Sequence, residues 1–141
     1  MRLVLDTCVI VSAFRSRRGA SRKLFGLLVQ GRFIMVATPA LFLEYESVLS
    51  RPEHVGIHGY SLGEIDLFLK TLAKFTELNP IRFQWRPQLR DPDDEFVLEA
   101  AINGRADAIV TFNLTDFLPA TKIFGIEVMR PGSMIRERLG G

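Results

Sequence analysis

Four segments far apart in the chain each carry a carboxylate at a place where a strand or helix should begin or end. Asp6 follows the apolar run Leu3-Val4-Leu5, and Glu44 lies in the helical pattern after Thr38-Pro39. Asp94 follows Asp91-Pro92, and Asp116 lies shortly after Ala108-Ile109-Val110. Each has a structural account by itself: Asp6 and Asp116 as turn caps, Asp94 as a complement to a helix dipole, Glu44 as a solvated residue. Together they point to chemistry, because carboxylates held within a few ångströms raise one another's pKa unless a cation is present. A hard divalent cation such as magnesium, which prefers oxygen ligands, relieves that repulsion. Two such ions roughly 4 Å apart can activate water and steady the leaving oxygen of a phosphodiester.

The elements that must position these acids are legible from apolar patterning. Leu3 to Leu5 reads as a buried strand ending at Asp6, with Val9-Ile10-Val11 continuing into the next element. Ser21 is expected to cap a helix with the stripe Leu24, Phe25, Leu27 and Leu28, stopped at Gly31. Residues 33–36 form a second strand, and Thr38-Pro39 supplies the cap and first-turn proline of a helix running to about Leu49, ended by Arg51-Pro52. After a loop with Gly56 and Gly59, Ser61 and Glu64 have capping-box spacing ahead of the apolar face Ile65, Phe68, Leu69, Leu72 and Phe75. Ile81 to Pro87 is expected as an extended edge piece. Asp91-Pro92 opens a helix that stops at Gly104. Residues 108–110 and 126–129 are the third and fourth strands, and a short helix follows from Ser133. Short apolar strands alternating with helices predict an α/β fold with a mainly parallel sheet covered on both faces. Ligands in such folds bind beyond the carboxyl ends of the strands, where the acids fall.

The chain has 141 residues, the size of one ordinary domain, so residues 1–141 are read as a single unit without repeats or linkers. Hydrophobic residues at 48% and charged residues at 24% fit a globular protein and exclude a disordered one. No stretch reaches the ~20 apolar residues of a membrane span. The opening Met1 to Leu5 meets Asp6 too soon for a signal or transit peptide, so a cytoplasmic protein is expected. A single cysteine, Cys8, excludes an internal disulfide and a cysteine-rich zinc site. The net charge of +2 does not by itself indicate a nucleic-acid partner, so the placement of the charges has to decide. The densest basic cluster is Arg15, Arg17, Arg18, Arg22 and Lys23, which reads either as a solvated helix start or as a phosphate-gripping rim.

Four segments in order, Leu5-Asp6-Thr7, Thr38 to Tyr45, Asp91 to Glu95 and Val110 to Phe117, resemble the PIN-domain family, in particular its prokaryotic toxin-like branch. The resemblance spans nearly the whole chain, from the first strand to the last. It implies a three-layer fold and a magnesium- or manganese-dependent endoribonuclease, with Asp6, Glu44, Asp94 and Asp116 as the acidic quartet. It further implies an RNA substrate, a cognate antitoxin protein as partner and a homodimer. The chain departs from the family pattern at Cys8, where asparagine usually follows Asp-Thr, which puts a hydrogen bond near Asp6 in question.

Periodicity leaves two assignments open. Glu44 and Glu46 flank the apolar face of their helix about equally at 100° per residue, and Asp93 competes with Asp94; the family pattern favours Glu44 and Asp94. Thr7, Ser12, Thr111 and Asn113 can orient the acids or serve as structural caps. Cys8 reads as a small buried residue, His54 and His58 lie in a loop without a clear partner, and Trp85 is core unless it is exposed to stack on a base. A haloacid-dehalogenase-type phosphatase would need a second aspartate where Cys8 stands, and a response-regulator receiver would need paired acids and a late lysine. The competing reading from another class is a non-catalytic binding module on the same fold.

Overall fold

The computed structural model describes residues 1–51, 60–83, 89 and 91–140. Strand β1 (Arg2–Leu5) leads into helices α1 (Thr7–Arg15) and α2 (Ala20–Val29), then β2 (Ile34–Ala37), α3 (Pro39–Leu49), α4 (Leu62–Lys74) and β3 (Thr76–Leu78). Next come α5 (Pro92–Asn103), β4 (Ala108–Val110), a 3-10 turn (Leu114–Phe117), α6 (Leu118–Phe124), β5 (Glu127–Met129) and α7 (Pro131–Arg138). The strands form one five-stranded sheet in the order β3-β2-β1-β4-β5, parallel throughout.

The three central strands are made of short apolar runs because both their faces are covered. Leu3, Val4, Met35, Val36, Ala108, Ile109 and Val110 are all fully buried. Helix α5 packs across β1, β2 and β4, and α3 contacts both α1 and α5. Gly104, after α5, is required by close approach: a Cβ there would lie 2.8 Å from both Val36 Cγ2 and the Ala100 carbonyl oxygen. The chain leaves β1 toward β2 on one side, while β4 adds on the other. The crevice beyond the carboxyl ends of β1 and β4 is therefore the switch point where such sheets bind ligands.

Helix starts follow the sequence signals closely. Thr38 Oγ1 accepts from the Leu41 amide at 3.2 Å, and Pro39 occupies the first turn of α3. Ser61 and Glu64 form the reciprocal capping box of α4, and Asp91 caps α5 by accepting from the Asp93 amide.

Several expectations need correction. Among the described residues the sheet has five strands where the sequence suggested four, because Thr76–Leu78 pairs with β2. Residues 81–83 belong to no strand, residues 84–87 of the expected edge piece lie outside the described residues, and the edge strand observed is β3. The strand was hidden because it is short and at the edge, with Glu77 and Leu78 exposed. Val9 to Val11 do continue into the next element, as expected, and that element is α1. Gly19, not Ser21, is the cap residue of α2; Ser21 is buried and its hydroxyl has no hydrogen-bond partner among the described residues. Helix α7 starts at Pro131, two residues before Ser133. Gly56, Gly59, His54, His58 and Trp85 lie outside the described residues. No helix among the described residues is long and apolar enough to cross a membrane.

Candidate active site

Asp6 is only 5% exposed and joins two elements. Its amide donates to the Val110 carbonyl at 2.9 Å, extending the β1–β4 pairing, and its own carbonyl accepts from the amides of Val9 and Ile10 at the start of α1. The side chain does not cap the helix. Instead Oδ2 accepts from the Thr111 hydroxyl at 2.7 Å and from the Cys8 thiol at 3.2 Å. Thr111 is held in turn by the Asn113 amide, which donates to its Oγ1 at 2.9 Å. Burial, then the neighbouring Asp6 charge, push the Cys8 thiol up to about 11, so at neutral pH it keeps its proton and acts as a donor, not a nucleophile. The hydrogen bond put in question by the loss of asparagine at position 8 is thus supplied by the thiol. Both donors engage Oδ2, and Oδ1 has no hydrogen bond among the described residues.

One turn of α3 carries two further constraints. The fully buried Tyr45 donates its hydroxyl to the Leu5 carbonyl, immediately before Asp6. Burial, followed by the Asp6 charge, raises its phenol well above the ordinary value and keeps it neutral. Its neighbour Glu44 is half-buried and lines an open cavity of ≈ 820 Å³ together with Asp6, Asp93 and Asp94. Glu46 faces a different groove, between α3 and α4, with Asp66 and Lys70.

Asp94 has the most perturbed carboxyl of the site. Burial and then the charges of Asp6, Asp91, Asp116 and Asp93 raise it from the ordinary 3.8 to about 7. Asp116, in the 3-10 turn, is exposed and does not line the cavity, yet its charge acts on Asp94. Asp93 is exposed, whereas Asp94 is half-buried.

Of the supporting residues, Thr7, Ser12 and Asn113 line the cavity and Thr111 holds Asp6. Of the basic cluster, only Arg15 lines it. Arg17 and Arg18 are exposed in the bend before α2, and Lys23 is exposed on α2. Arg22 turns back to the carbonyls of Phe14 and Ser16 at 3.5 Å each, with its guanidinium 6.0 Å from the Phe25 ring. The cavity lining that the sequence did not single out includes Arg51, Tyr60 and Phe112. Adjacency to Thr111 was the one signal for Phe112; Arg51 read only as a helix end.

The donor set is all hard oxygen and suits a divalent cation of the magnesium type. Among the described residues, no three of these groups converge closely enough to hold one ion as they stand. Asp6 is tethered, whereas the carboxylates of Glu44, Asp94 and Asp116 make no hydrogen bond among the described residues. The raised Asp94 carboxyl reflects its burial first and then the unneutralised carboxylates near it.

An α/β domain with a carboxylate-lined crevice at the switch point of a parallel sheet is the class of protein defined here. The family model described as "PIN domain" matches residues 2–115, and the chain therefore belongs to the PIN-domain family. That match contains Asp6, Glu44 and Asp94 and ends one residue before Asp116. Among solved structures, the fold is similar to a chain in the crystal structure of VapBC2 from Rickettsia felis bound to a DNA fragment from their promoter. The likeness has a TM-score of 0.60 at 15% identity and covers 91% of this chain and 97% of that one. A search of curated proteins gave no match.

The Asp94 shift has a consequence for stability. Its pKa is raised on folding, so the folded chain binds an extra proton between about 4 and about 7. The stabilisation from this group is complete below that window and is lost as pH rises through about 7. The metal-free protein is expected to lose more thermal stability between pH 5 and pH 8 than an Asp94→Asn variant, and millimolar magnesium should restore the wild type at pH 8. Parallel melting curves for the two proteins, with no difference in their pH trends, would contradict the clustering of charge.

Proposed function

We propose that this chain is a metal-dependent endoribonuclease that hydrolyses RNA phosphodiester bonds and is the toxin of a toxin-antitoxin pair. The observation that carries the reading is the placement of Asp6, Glu44 and Asp94 around one cavity beyond the carboxyl ends of β1 and β4, where parallel sheets bind ligands. Asp6 through Oδ1, Glu44, Asp94 and Asp116 are the residues that would hold magnesium or manganese. A bound cation supplies Lewis acidity toward the phosphodiester and its attacking water. Thr111 and Cys8 fix the orientation of Asp6, while Thr7, Ser12 and Asn113 present polar groups to the substrate and solvent within the cavity. Arg15 and Arg51, on the same cavity, offer guanidinium groups to backbone phosphates, and the exposed Arg17 and Arg18 extend that positive surface. The antitoxin reading is supported by the fold's likeness to a chain of VapBC2.

The test is cleavage of a labelled RNA, and of DNA of the same sequence, with magnesium, with manganese and with a chelator. Metal-dependent RNA cleavage is expected; its absence from protein freed of contaminants would leave the non-catalytic module as the better reading. Glu44→Gln should weaken both cleavage and thermal stabilisation by magnesium, and Glu46→Gln should leave both near wild type. The two glutamates face different cavities, so equal effects would reverse the assignment.

A further inference from the structure

Phe112 is an apolar ring placed among polar groups. It is 39% exposed and lines the same cavity as Asp6 and Asp94. Its backbone is fixed on both sides. Before it, Thr111 pairs with the sheet through its amide, which donates to Met129 at 2.9 Å, and holds Asp6 through its hydroxyl. After it, the Asn113 amide is tied to the Thr111 side chain. A single exposed aromatic residue needs no explanation on an ordinary surface. Here, however, the ring is held on a rigid support beside the carboxylates and contacts no other aromatic ring among the described residues. The other described aromatic residue of the cavity, Tyr60, is committed elsewhere: its ring packs 4.5 Å from that of Phe14 and its hydroxyl donates to the Arg15 carbonyl. The exposed Phe83 lines a separate groove with Ile102 and Arg105.

We infer that Phe112 is the base platform of the cleft, on which an unpaired nucleobase stacks so that a single-stranded RNA is held with its backbone between the carboxylates and Arg15 and Arg51. The inference rests on the ribonuclease reading and adds a specificity-determining residue to it. Aromatic faces accept any base, so the platform selects strand state and not sequence. A duplex must first unpair and unstack a base to use it, a step that a single strand does not require. A phenylalanine ring has only two side-chain torsions to order on binding, fewer than a long charged side chain.

The probe is a short unstructured fluorescent RNA, with calcium replacing magnesium so that binding is read without cleavage, and the same strand annealed to its complement. Phe112→Ala and Phe112→Leu should weaken single-strand binding roughly five- to a hundredfold, as the loss of one stacked base implies. Phe112→Trp should restore it. Leucine keeps apolar bulk without an aromatic face, so its failure separates stacking from simple packing. A scan of single abasic sites should find one position that weakens wild type but adds nothing to Phe112→Ala. Duplex binding should change little in any variant. If wild type cuts RNA while Phe112→Ala binds the single strand equally well, or if leucine restores binding, the platform is refuted and the ribonuclease reading stands. If wild type fails to cut any RNA with magnesium or manganese, the ribonuclease reading itself has failed.

Discussion

Asp94→Asn is expected to lower RNA cleavage by at least about a hundredfold while leaving the fold intact. Changes to groups that merely support a metal ligand already cost about 10- to 100-fold, and this change removes a proposed ligand itself. The amide nearly preserves the shape of the carboxyl, so the start of α5 should be undisturbed. It also deletes the group most repelled by Asp6, Asp91, Asp116 and Asp93, so the metal-free variant should melt at or above the wild-type temperature near pH 8. Loss of activity with gain of stability is the signature of a functional residue held against its own electrostatic preference. Asp93→Asn is the control: Asp93 lines the cavity but is exposed. The measurement pairs single-turnover cleavage with thermal melting for the three proteins. Wild-type cleavage by Asp94→Asn would remove the residue from the chemistry; a larger loss in Asp93→Asn would exchange the two assignments.

The parts of the fold that were legible are those specified locally. Thr38-Pro39, Ser61 with Glu64 and Asp91-Pro92 each announce a helix through chemistry confined to one turn, and each forms the expected cap. Strand β3 was not legible because its cause is tertiary. Its backbone is recruited by the β2 edge, and Glu77 pairs with Arg2 from a strand two places away in the sheet. The site shows the same division. The order of the four carboxylates could be read along the chain, but the choice between Glu44 and Glu46 could not. Both flank the buried stripe of α3, and only the packing of α4 closes a separate groove around Glu46. Likewise Asp93 and Asp94 are neighbours at one helix start, and burial alone distinguishes them. Arg51 joins the cavity from the end of α3 and Tyr60 from the approach to α4, through a meeting of elements that no spacing encodes.

Tyr45→Ala is expected to destabilise the protein by about 3–5 kcal/mol, the range for emptying a buried aromatic site. The ring is fully buried, with the Phe42 ring 5.8 Å away, and no exposed face offers a route to collapse around the void. Much of a marginal stability would be lost, so the informative companion is Tyr45→Phe, which keeps the ring and removes the hydroxyl. That hydroxyl is the donor to the Leu5 carbonyl, and a buried acceptor left without it should cost about 1–3 kcal/mol. The functional consequence follows from position. Leu5 immediately precedes Asp6 and Tyr45 immediately follows Glu44, so this hydrogen bond ties α3 to the end of β1 between two of the proposed ligands. Tyr45→Phe should therefore remain folded yet show a smaller magnesium-induced rise in melting temperature than wild type, even though neither carboxylate has been altered. Urea unfolding and a magnesium melting series on the same preparations separate the two effects. A Tyr45→Phe protein with wild-type stability and a wild-type magnesium response would show that the α3–β1 tie does not set the spacing of Asp6 and Glu44.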